Sequence, residues 1–163
     1  NLSSCIIDTK NSCTYTGKAL KPAVSVTYGY ANARTTLKEG TDYTVTYSSN
    51  KNVGTAKVKI TGKGKYTGSV TRTFKIVLGK PAIKSAAKSG TSAVKVSWSK
   101  VQGASGYEVY RSTGKTWTKV GTTKSTSFTD KKVKKGTTYN YKVRAYTAKK
   151  IYSGYSKTLK VKR

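Results

Sequence analysis

The sequence predicts an all-β protein made of two tandem antiparallel β-sandwiches. From Val24 onward, short segments alternate apolar and polar residues, which is the pattern of strands with one buried face. Turn-forming clusters separate these segments, and no window repeats apolar residues at helical spacing over three turns. The stretch Gly79–Pro81 divides the series. We therefore expect one sandwich over residues 1–78 and a second over residues 79–163.

Four strands are predicted in the first sandwich, with glycine- or asparagine-containing turns at 29–32, 39–42, 49–54 and 62–64. The short spacing of strands and turns is typical of a sandwich. The residues predicted to point inward are Val24, Val26 and Tyr28, then Tyr43, Val45 and Tyr47, then Ala56, Val58 and Ile60, and finally Val70, Phe74 and Ile76.

The second sandwich shows the same alternation after the Gly79–Pro81 stretch. Its short clusters of β-branched and aromatic residues again favour strands. The apolar residues of this series are Val94, Val96 and Trp98, then Tyr107 and Val109, then Trp117 with Val120, then Phe128, then Tyr139, Tyr141, Val143 and Ala145, and finally Leu159 and Val161.

The composition excludes several classes of chemistry. The 163 residues include 33 Lys and Arg, 5 Asp and Glu and no His, which gives a formal charge of +28. Without His, serine and cysteine triads and histidine-ligated zinc are impossible, and five acids leave little for carboxylate catalysis or oxygen-ligand metals. We therefore predict no catalytic residues, no metal and no cofactor.

The charge itself is dominated by lysine. Only five of the 33 cations are Arg, and about two thirds of the net charge belongs to residues 79–163. Arg is the residue that reads phosphates and bases bidentately, and no nucleic-acid motif is present. A physiological nucleic-acid partner is therefore not expected.

Four segments of the second half occur in the order and spacing of one known family. They are Val94–Trp98, Gly106–Arg111, Gly136–Tyr146 and Ser153–Ser156. This half resembles a bacterial fibronectin type III domain. The resemblance implies that Trp98 packs between the two sheets and that Tyr139 is a tyrosine corner, whose hydroxyl bonds to the backbone a few residues upstream.

The first half resembles the Ig-like repeats that Gram-positive gut bacteria string together in secreted and surface proteins. The segments that carry this resemblance are Tyr15–Lys18, Leu37–Tyr43, Asn52–Ala56 and Gly62–Gly68. Such repeats accompany many activities, so the resemblance implies an extracellular or cell-surface location and no particular reaction. Because the chain starts at Asn1 and contains no Met, we expect it to be part of a larger protein.

Cys5 and Cys13 are the two cysteines of the chain. They flank a predicted turn over residues 8–12, so a disulfide is feasible and would contribute roughly 2–3 kcal/mol. An even cysteine number in an extracellular chain favours this pairing, with two free buried thiols as the alternative.

The predicted third and sixth strands of the second sandwich place a mixed aromatic and charged face outward, because Tyr107 and Val109 point inward. Glu108 is then expected to form a cross-strand ion pair with Lys142 or Arg144. The face is either solvated, with one weak salt bridge, or a contact surface for a sugar, glycopolymer or protein. Its candidate residues are Tyr110, Lys142, Arg144 and Tyr146, with Trp117 either packed on the sheet or exposed as a platform.

A lysine run precedes the sixth strand in a predicted loop. It is either a solvated connection or an electrostatic contact for an anionic polymer. Its residues are Lys131, Lys132, Lys134 and Lys135.

Taken together, these features predict a non-catalytic pair of accessory modules in a larger secreted or cell-surface protein. The modules would act as spacers and would adhere through lysines to anionic cell-wall or host polymers. The alternatives are a module that binds glycans or a host surface protein through the Tyr and Arg face and, with less support, a fragment of a cell-wall hydrolase.

Overall fold

The computed structural model describes residues 1–29 and 33–163. Apart from one 3-10 turn at Leu2–Ser4, its regular structure consists of strands, which confirms the all-β class. The chain forms two compact units, Asn1–Val77 and Leu78–Arg163. The turn predicted at residues 29–32 lies largely outside the described residues.

The first unit contains two sheets, with strand orders β1-β3-β4 and β2-β7-β6-β5. Its strands are β1 (Ile6–Thr9), β2 (Ser12–Thr14), β3 (Val24–Tyr28), β4 (Thr35–Thr36), β5 (Tyr43–Ser48), β6 (Gly54–Gly62) and β7 (Ser69–Val77).

Strand β6 shows most clearly how alternation builds the core of this unit. Ala56, Val58 and Ile60 are fully buried, whereas Lys57 and Lys59 between them are exposed. The buried residues enter two apolar clusters, one that includes Leu2, Val26 and Ile60 and one formed by Ala56, Phe74 and Ile76. The period of two therefore predicted the buried face of this strand correctly.

Three features of the first unit differ from the prediction. Strands β1, β2 and β4 were not predicted, because each is short and none alternates strongly enough to be seen. Strand β2 pairs with β7 in parallel orientation, unlike the other strand pairs described in this unit. Tyr28 is 46% exposed and lies edge-on to Tyr66, with ring centroids 6.1 Å apart.

The predicted disulfide is not formed, since both Cys5 and Cys13 are free thiols. Cys5 packs against the cluster that contains Leu2, and Cys13 packs against the cluster that contains Phe74. The reason is that Cys13 lies on β2, which joins β7, whereas the chain after Cys5 enters β1 in the opposite sheet. Both thiols are free, as the alternative predicted, but they are half-buried and not buried.

The second unit also contains two sheets, with strand orders β12-β9-β8 and β11-β10-β13-β14. Its strands are β8 (Ile83–Ser89), β9 (Ala93–Trp98), β10 (Gly106–Ser112), β11 (Thr118–Thr123), β12 (Ser127–Asp130), β13 (Thr138–Tyr146) and β14 (Leu159–Lys162).

Trp98 is 2% exposed and packs edge-on against Tyr107 of the opposite sheet, with ring centroids 5.4 Å apart. Val94 and Val96 precede it on the same buried face of β9. The indole Nε1 of Trp98 has no hydrogen-bond partner among the described residues. Its contribution is therefore apolar packing between the sheets.

Gly121 on β11 offers a test of the packing between the two sheets of this unit. A Cβ atom placed there would lie 2.2 Å from the Phe128 ring, which belongs to the other sheet. We expect Gly121→Ala to lower the free energy of unfolding by about 1–3 kcal/mol, because the partly buried ring must move away from its packed position. The measurement is urea unfolding followed by tryptophan fluorescence.

Gly114 supplies the matched control, because a Cβ atom there meets nothing within 4 Å. Gly114→Ala should stay within about 0.5 kcal/mol of the wild-type protein. Equal effects of the two substitutions would contradict close packing of β11 on β12.

Candidate binding surfaces of the second unit

The register between β10 and β13 determines which side chains meet on the outward face. Glu108 lies directly opposite Arg144, and Tyr110 lies opposite Lys142. All four point away from the core that Tyr107, Val109 and Val143 fill, because successive residues of a strand face opposite sides.

Glu108 is only 5% exposed, although it lies on the outward face. Arg144 Nε donates to Glu108 Oε2 at 2.9 Å, and the Tyr110 hydroxyl donates to the same oxygen at 2.8 Å. Lys119 Nζ on β11 lies 3.2 Å from Oε1. The predicted ion pair is thus part of a network around a buried carboxylate, and this network joins three adjacent strands.

This network changes the acidity of its members. Burial raises the pKa of the Glu108 carboxyl, but the hydrogen bonds from Arg144, Tyr110 and Lys119 outweigh burial, so that pKa lies below its usual value. Burial and the hydrogen bond to Glu108 raise the pKa of the Tyr110 hydroxyl. At neutral pH the network therefore holds an ionised carboxylate and a neutral phenol.

Two serines hold the chain segment that follows β13 against that strand. Ser153 N donates to Ala145 O at 2.9 Å, and Ser153 Oγ accepts from Ala145 N at 2.9 Å. Ser156 makes the same pair of contacts with Val143, at 2.8 Å and 3.0 Å. Each serine thus satisfies both backbone groups of its partner residue.

The tyrosines that precede these serines lie over the cations of β13. Arg144 lies 3.9 Å from the ring centroid of Tyr152. Lys142 Nζ lies between two rings, 4.2 Å from Trp117 and 4.1 Å from Tyr155. These are cation–π distances, so the positive charges of the face are covered by its own aromatic residues.

The prediction that Tyr146 stands exposed on this face is wrong. Tyr146 is 8% exposed. It packs edge-on against Tyr152 with centroids 6.1 Å apart, and Lys150 Nζ lies 3.8 Å from its ring. Tyr146 has the outward phase, but the chain that follows β13 folds back and covers it.

The sequence analysis did not predict the contacts that Tyr152, Ser153, Tyr155 and Ser156 make with β13, although a repeat marks these residues. The dipeptide Tyr-Ser occurs twice at a spacing of three in the segment Tyr152-Ser153-Gly154-Tyr155-Ser156. This spacing places both serines on the sheet and both tyrosines over the cations. Trp117 is half-buried immediately before β11 and belongs to the same cluster.

The lysine run forms a separate surface in the loop between β12 and β13. The side chains of Lys131, Lys132, Lys134 and Lys135 are all exposed. The loop backbone is anchored at both ends: Lys132 N donates to Asp130 Oδ1 at 3.0 Å, and Lys134 N donates to the Tyr139 hydroxyl at 2.9 Å. The lysines are thus presented on a fixed backbone.

Asp130 is buried at the start of this loop. Arg111 Nη1 and the Tyr141 hydroxyl donate to Asp130 Oδ2 at 2.8 Å and 2.9 Å. Burial and the hydrogen bond to Asp130 raise the pKa of the Tyr141 hydroxyl. The residue that begins the loop is therefore held by two side chains from neighbouring strands.

Two further observations concern the described part of the chain. Within it, no group of three or more His, Cys, Asp or Glu side chains is placed to hold a metal ion. It also contains no helix of the length and apolar character needed to cross a bilayer.

Comparison with known proteins shows similarity between the second unit and a domain of glycoside hydrolases. Residues 79–156 match the model of the C-terminal domain of GH85 endohexosaminidases. An α-amylase from Niallia circulans is 33% identical over 122 residues, which cover 64% of this chain and 9% of the amylase. The chain thus spans a small part of that relative.

Similar solved structures include an Fn3-like protein from Clostridium thermocellum, 31% identical over 50% of this chain and 92% of that chain, with a TM-score of 0.44. A β-1,2-glucanase from Parabacteroides distasonis is 21% identical over 66% of this chain and 17% of that chain, with a TM-score of 0.48. Together with the sandwich fold, the match over residues 79–156 supports a fibronectin type III-like accessory module.

Removing a cation from the buried network should be costly. We expect Arg144→Met to lower the free energy of unfolding at pH 7 by about 3 kcal/mol, because it leaves the buried Glu108 carboxylate with only Lys119 as a charged partner. The double variant Glu108→Gln/Arg144→Met should lose at least about 1 kcal/mol less than the sum of the single variants. Urea unfolding of the four proteins measures the coupling, and additive losses would contradict a shared network.

The contribution of Glu108 to the free energy of unfolding should also decrease as the pH falls. Its pKa is lower in the folded protein than the ordinary value of 4.5, so ionised Glu108 stabilises the fold above pH 4.5 and loses this effect as the pH falls through the folded value. The difference in unfolding free energy between the wild-type protein and Glu108→Gln should therefore shrink between pH 7 and about pH 2. A difference that stays constant with pH would show that Glu108 acts only through packing.

Proposed function

We propose that this chain is a non-catalytic pair of accessory modules in a larger secreted or cell-surface bacterial protein. The second unit attaches the parent protein to anionic polymers through the loop Lys131–Lys135, and both units space the neighbouring domains. The match to a glycoside hydrolase C-terminal domain supports an accessory role. The parent's catalytic activity, in this proposal, belongs to other domains.

The observation that carries the proposal is the fixed lysine loop. Among the described residues, the three ion pairs use Arg111, Lys119 and Arg144 as cations. The four exposed lysines of the loop are therefore uncompensated by any carboxylate in the described part of the chain. A polyanion can bind them without first displacing an internal partner, and the anchored backbone reduces the entropy lost on binding.

The same ion pairs weigh against recognition of nucleic acids. Arg111 is engaged by Asp130, and Arg144 is engaged by Glu108. The bidentate donors that read phosphates and bases are therefore occupied at these two positions. The lysines that stay exposed act as point charges, which favours attraction to charge density over recognition of sequence.

The Tyr and Arg face is a weaker candidate for a glycan or host-protein site. Its cations are stacked on its own rings, Tyr146 is buried, and Tyr110 donates to Glu108. A ligand on this face would compete with contacts that stabilise the fold. Tyr152, which is 39% exposed, is the ring most available to a partner.

Substitution of the loop tests the proposal. In the full chain, Lys131→Gln/Lys132→Gln/Lys134→Gln/Lys135→Gln should weaken binding to immobilised lipoteichoic acid by at least about tenfold at 0.1 M NaCl. Wild-type binding should largely vanish at 1 M NaCl, because the Debye length falls from about 10 Å to about 3 Å. Surface plasmon resonance at the two salt concentrations gives both values.

A second quadruple variant controls for net charge. Lys100→Gln/Lys115→Gln/Lys149→Gln/Lys160→Gln removes the same charge at exposed positions of the second unit outside the loop. It should weaken binding far less than the loop variant. Equal losses would show that only the total charge matters and would refute a binding loop.

A further inference from the structure

The outer face of the sheet β12-β9-β8 is lined by small hydroxyl side chains. Ser85, Ser97 and Ser127 lie side by side across the three strands, since Ser97 is in register with both of the others. Ser85 Oγ and Ser97 Oγ are 2.7 Å apart. Ala87 is the next outward residue on β8 and adds no bulk.

Because the central side chains are small, they leave a shallow, open hollow on this face. The hollow has a volume of about 530 Å³, and its lining includes three exposed lysines, Lys84, Lys88 and Lys95. We refer to this feature as the hydroxyl trough. Trp98, which is buried, also contributes to the lining of the trough.

The trough carries positive charge without internal compensation. Neither of the acids of the second unit belongs to its lining, since Glu108 and Asp130 are bonded elsewhere. The three ion pairs among the described residues involve none of its lysines. A ligand that complements the trough must therefore supply negative charge to the rim and hydrogen-bonding groups to the floor.

We propose that the hydroxyl trough binds an acidic glycan, a polysaccharide that carries carboxylate or sulfate groups. Serine hydroxyls both donate and accept hydrogen bonds, so a row of three matches sugar hydroxyls as well as acidic oxygens. Lysines of the rim pair with the acidic groups. This site is distinct from the loop Lys131–Lys135.

The residue types favour a glycan over a nucleic acid. The lining contains no Arg, and its one aromatic residue, Trp98, is buried. Proteins that bind single-stranded nucleic acids stack bases on accessible aromatic rings, and Arg supplies bidentate phosphate contacts. The trough offers neither of these features.

The test is a binding titration of the full chain with heparin and with polygalacturonate, and neutral dextran serves as the uncharged control. Ser97→Ala changes no charge and removes the central hydroxyl, and we expect it to weaken heparin binding about tenfold. Lys84→Gln/Lys95→Gln should weaken it further. Unchanged urea midpoints of the variants would show that the sheet is intact.

One charge-matched variant and two comparisons of ligands test whether binding is specific to the trough. Lys115→Gln/Lys149→Gln, which removes the same charge outside the trough, should have a clearly smaller effect than Lys84→Gln/Lys95→Gln. Binding of heparin but not polygalacturonate, or the reverse, would support the site and identify sulfate or carboxylate as its acidic group. Polyphosphate or single-stranded DNA bound as tightly as the glycans, with the same loss in Ser97→Ala, would overturn the ligand class.

The outcomes separate this inference from the proposed function. If the trough variants bind heparin like their charge control while the loop variant loses lipoteichoic acid binding, the trough is refuted and the adhesive loop stands. If Ser97→Ala loses heparin binding while the loop variant keeps lipoteichoic acid binding, the trough stands and the loop is refuted. Wild-type affinity of the trough variants for both acidic glycans, together with wild-type affinity of the loop variant for lipoteichoic acid, would refute both.

Discussion

The buried carboxylate of Glu108 is the constraint on which the outward face of the second unit depends. A carboxylate that is shielded from water must be compensated, and the compensation comes from Arg144 on β13, Lys119 on β11 and the hydroxyl of Tyr110. These partners fix the register of three strands. The cation of Arg144 then attracts the ring of Tyr152, and the serines of the same segment complete the hydrogen bonds of β13.

This arrangement divides the positive charge of the protein into two kinds. One kind is used internally, as in Arg111 with Asp130 and Lys142 between Trp117 and Tyr155. The other kind is exposed, as in the loop that begins with Lys131 and along the rim of the hydroxyl trough. A formal charge of +28 therefore does not define a binding site by itself. The positions of the few carboxylates and of the aromatic rings decide which cations are free for a partner.

The sequence was most informative where apolar residues alternate over a long strand. The buried faces of β6 and β9 follow the period of two, but short strands such as β2 and the polar strand β8 carry too few apolar residues to reveal themselves. Alternation also could not show that Tyr146 would be covered, because the segment that covers it follows β13 and has no regular strand pattern of its own. The predicted disulfide is wrong for a topological reason. The short sequence separation of the two cysteines did not reveal that the chain changes sheets between them.

The parallel pairing of β2 with β7 has a mechanical consequence for a unit that we propose to be a spacer. Asn11 O accepts from Lys75 N at 2.9 Å, and Val77 O accepts from Tyr15 N at 2.8 Å, so these bonds bridge the beginning and the end of the first unit. In a parallel pair, tension that pulls the start of β2 away from the end of β7 acts along the strands. The hydrogen bonds are then loaded in shear and must break together, whereas an antiparallel hairpin pulled from its open end unzips one bond at a time.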